Sequence, residues 1–204
     1  MLYFTGAHVD YVSRWLARGF ITSAMIYTFG GISGAHIDPA ISLGFALRRA
    51  MTLPQMLVYW IAQFAGAFAA AGLAWALWKN LVVFGASHPG PRFTHFEAVV
   101  TEVILTFLLM LVVLATAEEK ATVGAQAALA VGLTVAACGF FAGPISGASM
   151  NPARSLPPQI VGGAFGIMWI YVVGPFAGAA LAAAGSMVCF PTNDRGVRQA
   201  GKGN

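Results

Sequence analysis

Ser33-Gly34-Ala35-His36-Ile37-Asp38-Pro39-Ala40-Ile41-Ser42-Leu43 returns later in the chain as Ser146-Gly147-Ala148-Ser149-Met150-Asn151-Pro152-Ala153-Arg154-Ser155-Leu156. Serine, glycine, alanine, proline, alanine, serine and leucine keep register between the copies, Asp38 answering to Asn151 at an offset of 113 residues. Each copy reads as a small-residue extended segment, then Asp or Asn as helix N-cap, then Pro at the first helical position, where its missing N–H costs nothing. The apolar run after each Pro lasts only about one to three turns before Arg48-Arg49 or Pro157-Pro158 interrupts it, well short of the roughly 20 residues that cross a bilayer. The two copies are therefore expected to begin half-helices.

The surroundings of these half-helices are those of a membrane protein. The 204 residues are 58% hydrophobic and 9% charged, with mean hydropathy +0.76; a water-soluble domain of this size could not hide that much apolar surface in one core. Apolar runs near 15–33, 54–78, 96–117, 123–143 and 166–190 predict five full spans. Residues Met1 to Ser13 lack a basic region followed by an apolar core, so no cleavable signal peptide is expected. The net charge of +4 comes from basic residues scattered singly or in pairs, which excludes a phosphate-tracking surface and hence a nucleic-acid partner. Arg48, Arg49, Lys120, Arg195, Arg198 and Lys202 fall on the side of the C-terminus, against Arg14, Lys79 and Arg92 opposite, a bias that places the C-terminus in the cytoplasm. Cys138 and Cys189, both in apolar spans, are read as packing residues, and no metal or cofactor is expected.

The repeat extends beyond the motif. Ala62, Gly66 and Ala70 form a small-residue stripe that lets helices approach in lipid, and Phe64-Ala65-Gly66-Ala67 returns as Phe176-Ala177-Gly178-Ala179. Residues 1–78 form the first, incomplete unit and 94–190 the second, with a cytoplasmic tail at 191–204, all within one domain. Three predicted crossings separate the motifs, so the two enter from opposite faces and the repeat is inverted. Inverted repeats with broken helices place a solute site at the midplane, where non-helical backbone survives only if it lines a cavity or is buried in protein. Gly34, Ala35, His36, Gly147 and Ser149 would present carbonyls there, beside the positive ends of both half-helices. The position 113 residues before Glu102 lies upstream of Met1, so the first unit lacks a span. The expectation is a truncated product, with Leu2-Tyr3-Phe4 ending the lost helix and an incomplete pore wall.

These residues resemble the aquaporin, or major intrinsic protein, family over nearly the whole chain. Ser146 to Ser155 matches the family signature closely, and the first copy deviates by carrying Asp38 where the family has Asn. The resemblance implies an all-α membrane protein: an inverted-repeat helical bundle with two re-entrant half-helices, assembled as a homotetramer with one pore per subunit. It implies passive passage of water or small neutral solutes such as glycerol, urea or ammonia, no enzymatic activity, and a place in the cell membrane. The pore motifs are then Asp38-Pro39-Ala40 and Asn151-Pro152-Ala153. A carbonyl ladder opposite an apolar wall replaces part of a neutral solute's hydration, while an ion loses far more than is replaced. Glu102, a carboxylate inside an apolar span, takes from the family the role of bracing the re-entrant backbone; Glu97 suits a helix end, and His36 a loop histidine satisfied locally.

By the family's spacing, the outer constriction falls on Arg154, Ala148, Gly139 and Arg18. Small residues at 139 and 148 imply a mouth wider than a water-only filter. Gly139 to Pro144 resembles the glycerol-facilitating branch and Ser155 the water branch, while Arg18 stands where the family usually has an aromatic residue and could equally be an interfacial anchor with Arg14. Three other classes remain open to test. A coupled transporter or a proton-leaky channel would use Asp38, and a truncated fragment would not conduct; a hydrolase built on Ser33, His36 and Asp38 is rejected, because alternate residues of a short loop do not converge as a triad.

Overall fold

The computed structural model describes residues 10–78, 85–117 and 126–189, and every regular element among them is helical. Asp10 opens α1 (Tyr11–Ser33) by accepting the Ser13 N–H at 2.7 Å. The first half-helix, α2 (Pro39–Leu47), follows. α3 (Leu53–Trp78) starts on a reciprocal cap, in which Thr52 N–H donates to Gln55 Oε1 at 3.1 Å and Gln55 N–H to Thr52 Oγ1 at 3.4 Å. Thr94 and Glu97 make the same box at the head of α4 (His95–Thr116), which gives Glu97 its helix-end role. α5 (Ala127–Ser146), the second half-helix α6 (Pro152–Gly162), a 3-10 turn at Phe165–Ile167 and α7 (Ile170–Cys189) complete the series.

One expectation is met only in part and one is corrected. Among the described residues four stretches, not five, are long and apolar enough to cross a membrane: Leu53–Trp78, His95–Thr116, Ala127–Ser146 and Phe165–Cys189. At 23 residues α1 is long enough, but Arg14, Arg18 and its scattered Ser and Thr residues lower its apolar character. The Pro157-Pro158 pair, expected to interrupt the second half-helix, lies inside α6, which runs on to Gly162 and closes at left-handed Gly163. Burial of Pro157 and Gln159 against neighbouring elements outweighs the two missing N–H donors. Leu2-Tyr3-Phe4, Lys79, Lys120 and the tail at 191–204 lie outside the described residues.

Bare helix faces set the packing. A Cβ on Gly19 of α1 would lie 2.5 Å from the Gly132 carbonyl oxygen of α5, and one on Gly178 of α7 would lie 2.4 Å from the Val103 carbonyl oxygen of α4. These two pairs, α1 on α5 and α4 on α7, are the most extensive helix contacts. Gly66, the repeat counterpart of Gly178, has no atom within 4 Å of where its Cβ would stand. The stripe on α3 is thus open where that on α7 is filled. Tyr11 supplies a further tie between α1 and α5. Its hydroxyl donates to the Phe140 carbonyl at 2.9 Å, the oxygen whose helical donor is missing because residue 144 is proline; the Gly139 carbonyl lies 2.8 Å away as a second acceptor.

Candidate functional site

Both motif copies fold into the same loop. α1 and α5 end at Gly34 and Gly147, whose N–H groups bond back to the Gly30 and Gly143 carbonyls at 2.9 and 3.0 Å. The next turns repeat a sequence of left-handed residues: φ is 68°, 46° and 54° at Gly34, Ala35 and Ile37, and 80°, 42° and 58° at Gly147, Ala148 and Met150. A left-handed conformation costs a non-glycine residue about 1–2 kcal/mol, so four such residues in two short loops need bracing from outside. Part of it is local, since Ser33 Oγ and Ser146 Oγ accept the N–H groups of Ala35 and Ala148 at 3.3 and 3.2 Å. Each loop then ends in a capped helix start: Asp38 Oδ1 accepts the Ala40 N–H at 2.8 Å and Asn151 Oδ1 the Arg154 N–H at 3.0 Å, with Pro39 and Pro152 following.

The rest of the bracing comes from other helices. Glu102 of α4 is fully buried and accepts three hydrogen bonds, from Ser146 Oγ at 2.7 Å, Ser149 N–H at 2.8 Å and Met150 N–H at 2.6 Å. Tyr171 donates its hydroxyl to the Ser146 carbonyl at 2.7 Å, and Tyr59 does the same for Ser33 at 2.8 Å. The tyrosine pair belongs to the repeat, offset like Phe64 and Phe176, a signal that sequence reasoning overlooked. Trp60 Nε1 donates to the Pro39 carbonyl at 3.0 Å. His36 is held within its own loop, its Nδ1 lying 3.1 Å from Ser42 Oγ and its ring stacked on Phe45 at 4.6 Å. Ser149, its repeat counterpart, makes the matching bond to Ser155. Because Tyr171 is fully buried, Tyr171→Phe should strand the Ser146 carbonyl and cost about 1–2 kcal/mol. Thermal unfolding in detergent should show a midpoint lower by roughly 3–8 °C, with a smaller drop for the less buried Tyr59→Phe.

The two helix starts meet. Asn151 Nδ2 donates to the Ile37 carbonyl of the opposite loop at 2.8 Å, and both loops line one cavity of about 710 Å³. Gly34, Ala35, His36, Asp38, Ser149, Asn151, Ala153 and Arg154 all face this space, whereas Pro39, Ala40 and Pro152 are buried as the first turns of their half-helices. Arg18 also lines it, and its guanidinium forks onto the second loop, Nη1 donating to the Ala148 carbonyl at 2.5 Å and Nη2 to the Ser149 carbonyl at 2.6 Å. The same guanidinium lies 5.4 Å from the Trp15 ring centroid. Arg18 is thus a cavity residue.

Gly139, Ala148 and Gly147 are not among the residues that line the cavity. A Cβ on Gly139 would lie 2.0 Å from Trp15 Cε3, so the room left by this glycine is filled by the indole. Ala148 is fully buried and reaches the cavity residues through its carbonyl alone. Behind Arg154 lies a buried network that the sequence did not announce. The Arg154 guanidinium donates to Ser87 Oγ, which bonds Ser155 Oγ at 2.6 Å, while Gln159 Nε2 donates to the Ser87 carbonyl at 2.7 Å. Segment 85–90, just ahead of α4, is therefore tied to the second half-helix.

Residues 4–185 match the major intrinsic protein family. The chain belongs to the major intrinsic protein family. It is 42% identical over 173 residues to aquaporin NIP2-3 of Zea mays, covering 84% of this chain and 56% of that protein. It is 40% identical over 185 residues to aquaporin NIP1-4 of Oryza sativa subsp. japonica, covering 88% and 66%. The chain therefore spans a little over half to two thirds of the length of these relatives. The X-ray structure of the aquaglyceroporin from Plasmodium falciparum superposes with a TM-score of 0.81 at 24% identity, over 92% of this chain and 86% of that one, which shows a common fold. Family and apolar helices together make this an integral membrane protein.

Proposed function

We propose that the chain forms a passive channel for water and small neutral solutes, with α1 as a fifth crossing and no enzymatic role. The observation that carries this reading is the convergence of two capped half-helix starts, Asp38 and Asn151, on one cavity lined by both re-entrant loops. A neutral solute in that space would meet loop backbone and the Asn151 amide together with the apolar side chains of Ile26, Ile41, Phe45 and Val135. Polar contact replaces part of its hydration shell, and the apolar wall gives an ion nothing in exchange. The relatives' names support a water or solute channel, and the exposed apolar helix faces support its seat in lipid; the family resemblance adds a homotetramer in the cell membrane, and the bias of basic residues a cytoplasmic C-terminus.

Asp38 favours one rival reading, a transporter coupled to protons or cations, because it puts a carboxylate at the cavity. Stopped-flow light scattering of reconstituted vesicles separates the two. Water, glycerol, urea and ammonia fluxes should follow the solute gradient alone and stay unchanged when a pH or sodium gradient is imposed. Flux driven by either gradient would establish coupling instead.

A further inference from the structure

Two departures from the family pattern, Arg18 and Asp38, line the same cavity. We propose that they form one device: Arg18 adds a cation barrier that offsets the carboxylate of Asp38. The inference rests on the channel reading above. Among the described residues the cavity holds four side chains able to carry charge, namely Arg18, His36, Asp38 and Arg154. Two of these also have partners beside the space, without Arg154 losing its positive charge. His36 is bonded to Ser42 and stacked on Phe45, and the Arg154 guanidinium donates to Ser87. Arg18 holds the second loop through its fork, and Asp38 caps the half-helix that follows the first.

Asp38 serves its helix as well as Asn would, since one oxygen accepts the Ala40 N–H. Toward the cavity, however, it offers acceptors and negative charge where an Asn would offer N–H donors. A carboxylate at that point attracts cations, and apart from Arg18 it is opposed by the helix N-termini and by the charge of Arg154. Arg18 opposes it in two ways. Its fixed positive charge sits on the same cavity wall and, half-buried, acts over a longer range than it would at an open surface. Its fork also occupies the Ala148 and Ser149 carbonyls, the kind of oxygens that would otherwise replace a cation's hydration shell. No ion pair joins Arg18 to Asp38 among the described residues, so the offset acts through the field across the cavity and leaves the space between them open to a neutral solute.

The test is a double-mutant cycle on the reconstituted 204-residue chain, reading potassium conductance of vesicles at constant pH together with water and glycerol flux. Arg18→Leu should raise potassium conductance by about tenfold, the order expected for losing one unit charge at cavity range. Adding Asp38→Asn to it should restore the parent's low value. Arg18→Lys, which keeps the charge but loses the planar fork, should stay low. Equal leakage from Arg18→Leu with Asp38 and with Asn at position 38 would overturn the offset, because the freed carbonyls would then be the whole effect. A folded Arg18→Leu protein with unchanged potassium conductance would overturn the proposal as well. Should Arg18→Leu lose its thermal transition, Arg18→Gln, which keeps an amide donor to one carbonyl, is read by the same two criteria. Failure of the channel reading shows separately, as absence of water and glycerol flux in the parent.

Discussion

Glu102→Ala should lower the thermal unfolding midpoint by roughly 6 °C or more and abolish solute flux. The carboxylate is fully buried and its three donors, Ser146 Oγ and the Ser149 and Met150 N–H groups, have no solvent to turn to. Stranding a buried donor costs about 1–3 kcal/mol, more when the lost partner is charged, so the total is of the order of 3–6 kcal/mol. For a chain of this size each kcal/mol shifts the midpoint by about 2–4 °C. The loss falls on the loop least able to bear it, since Ala148 and Met150 hold left-handed conformations only while their surroundings impose them. Glu102→Gln should be intermediate rather than silent. One oxygen of the amide still accepts, but its NH2 group faces a backbone N–H that also donates. Detergent melts of the three proteins, with flux measured on the same preparations, check the order Glu, Gln, Ala. If the alanine protein kept its midpoint and its flux, the second loop would hold its shape without α4.

The elements that local chemistry dictates were legible in the chain. Asp38-Pro39 and Asn151-Pro152 start helices because cap and proline act within one turn, and Gly34 and Gly147 end helices for the same reason. Glu102 stood out as a carboxylate in an apolar run. Tyr59 and Tyr171 were equally legible through the repeat, but a buried aromatic ordinarily means only packing. What could not be read depends on a second element. Ser87 and Gln159 have no motif of their own and acquire meaning only when segment 85–90 folds onto α6. The α1 span was read from run length, which ignores that Arg18 is satisfied by loop carbonyls instead of lipid. Counting along the chain reaches Gly139 but cannot show what its bare face meets, because Trp15, the residue that fills it, lies on another helix.

That last point separates two outcomes for Gly139→His. If this glycine bordered the solute path, histidine would narrow a filter, and glycerol flux would fall more than water flux while the fold held. The structure points to a different result. The Trp15 indole lies across the bare face made by Gly139 and Gly143, where Cβ atoms would stand 2.0 Å and 2.4 Å from ring carbons. The ring is nearly buried at 7% exposure, so it cannot swing aside without unpacking α1 from α5. Overpacking of this kind costs about 1–3 kcal/mol where the neighbour yields and more where it cannot. Gly139→His should therefore lower the midpoint by at least about 5 °C and reduce water and glycerol flux together. The displaced ring would also pull on Arg18, whose guanidinium lies over it and clamps the second loop. Trp15→Ala removes the obstacle, so the double variant should regain part of the lost midpoint relative to Gly139→His alone, a coupling that independent sites would not show. A Gly139→His protein that melts like the parent and selectively loses glycerol flux would place Gly139 on the solute path after all.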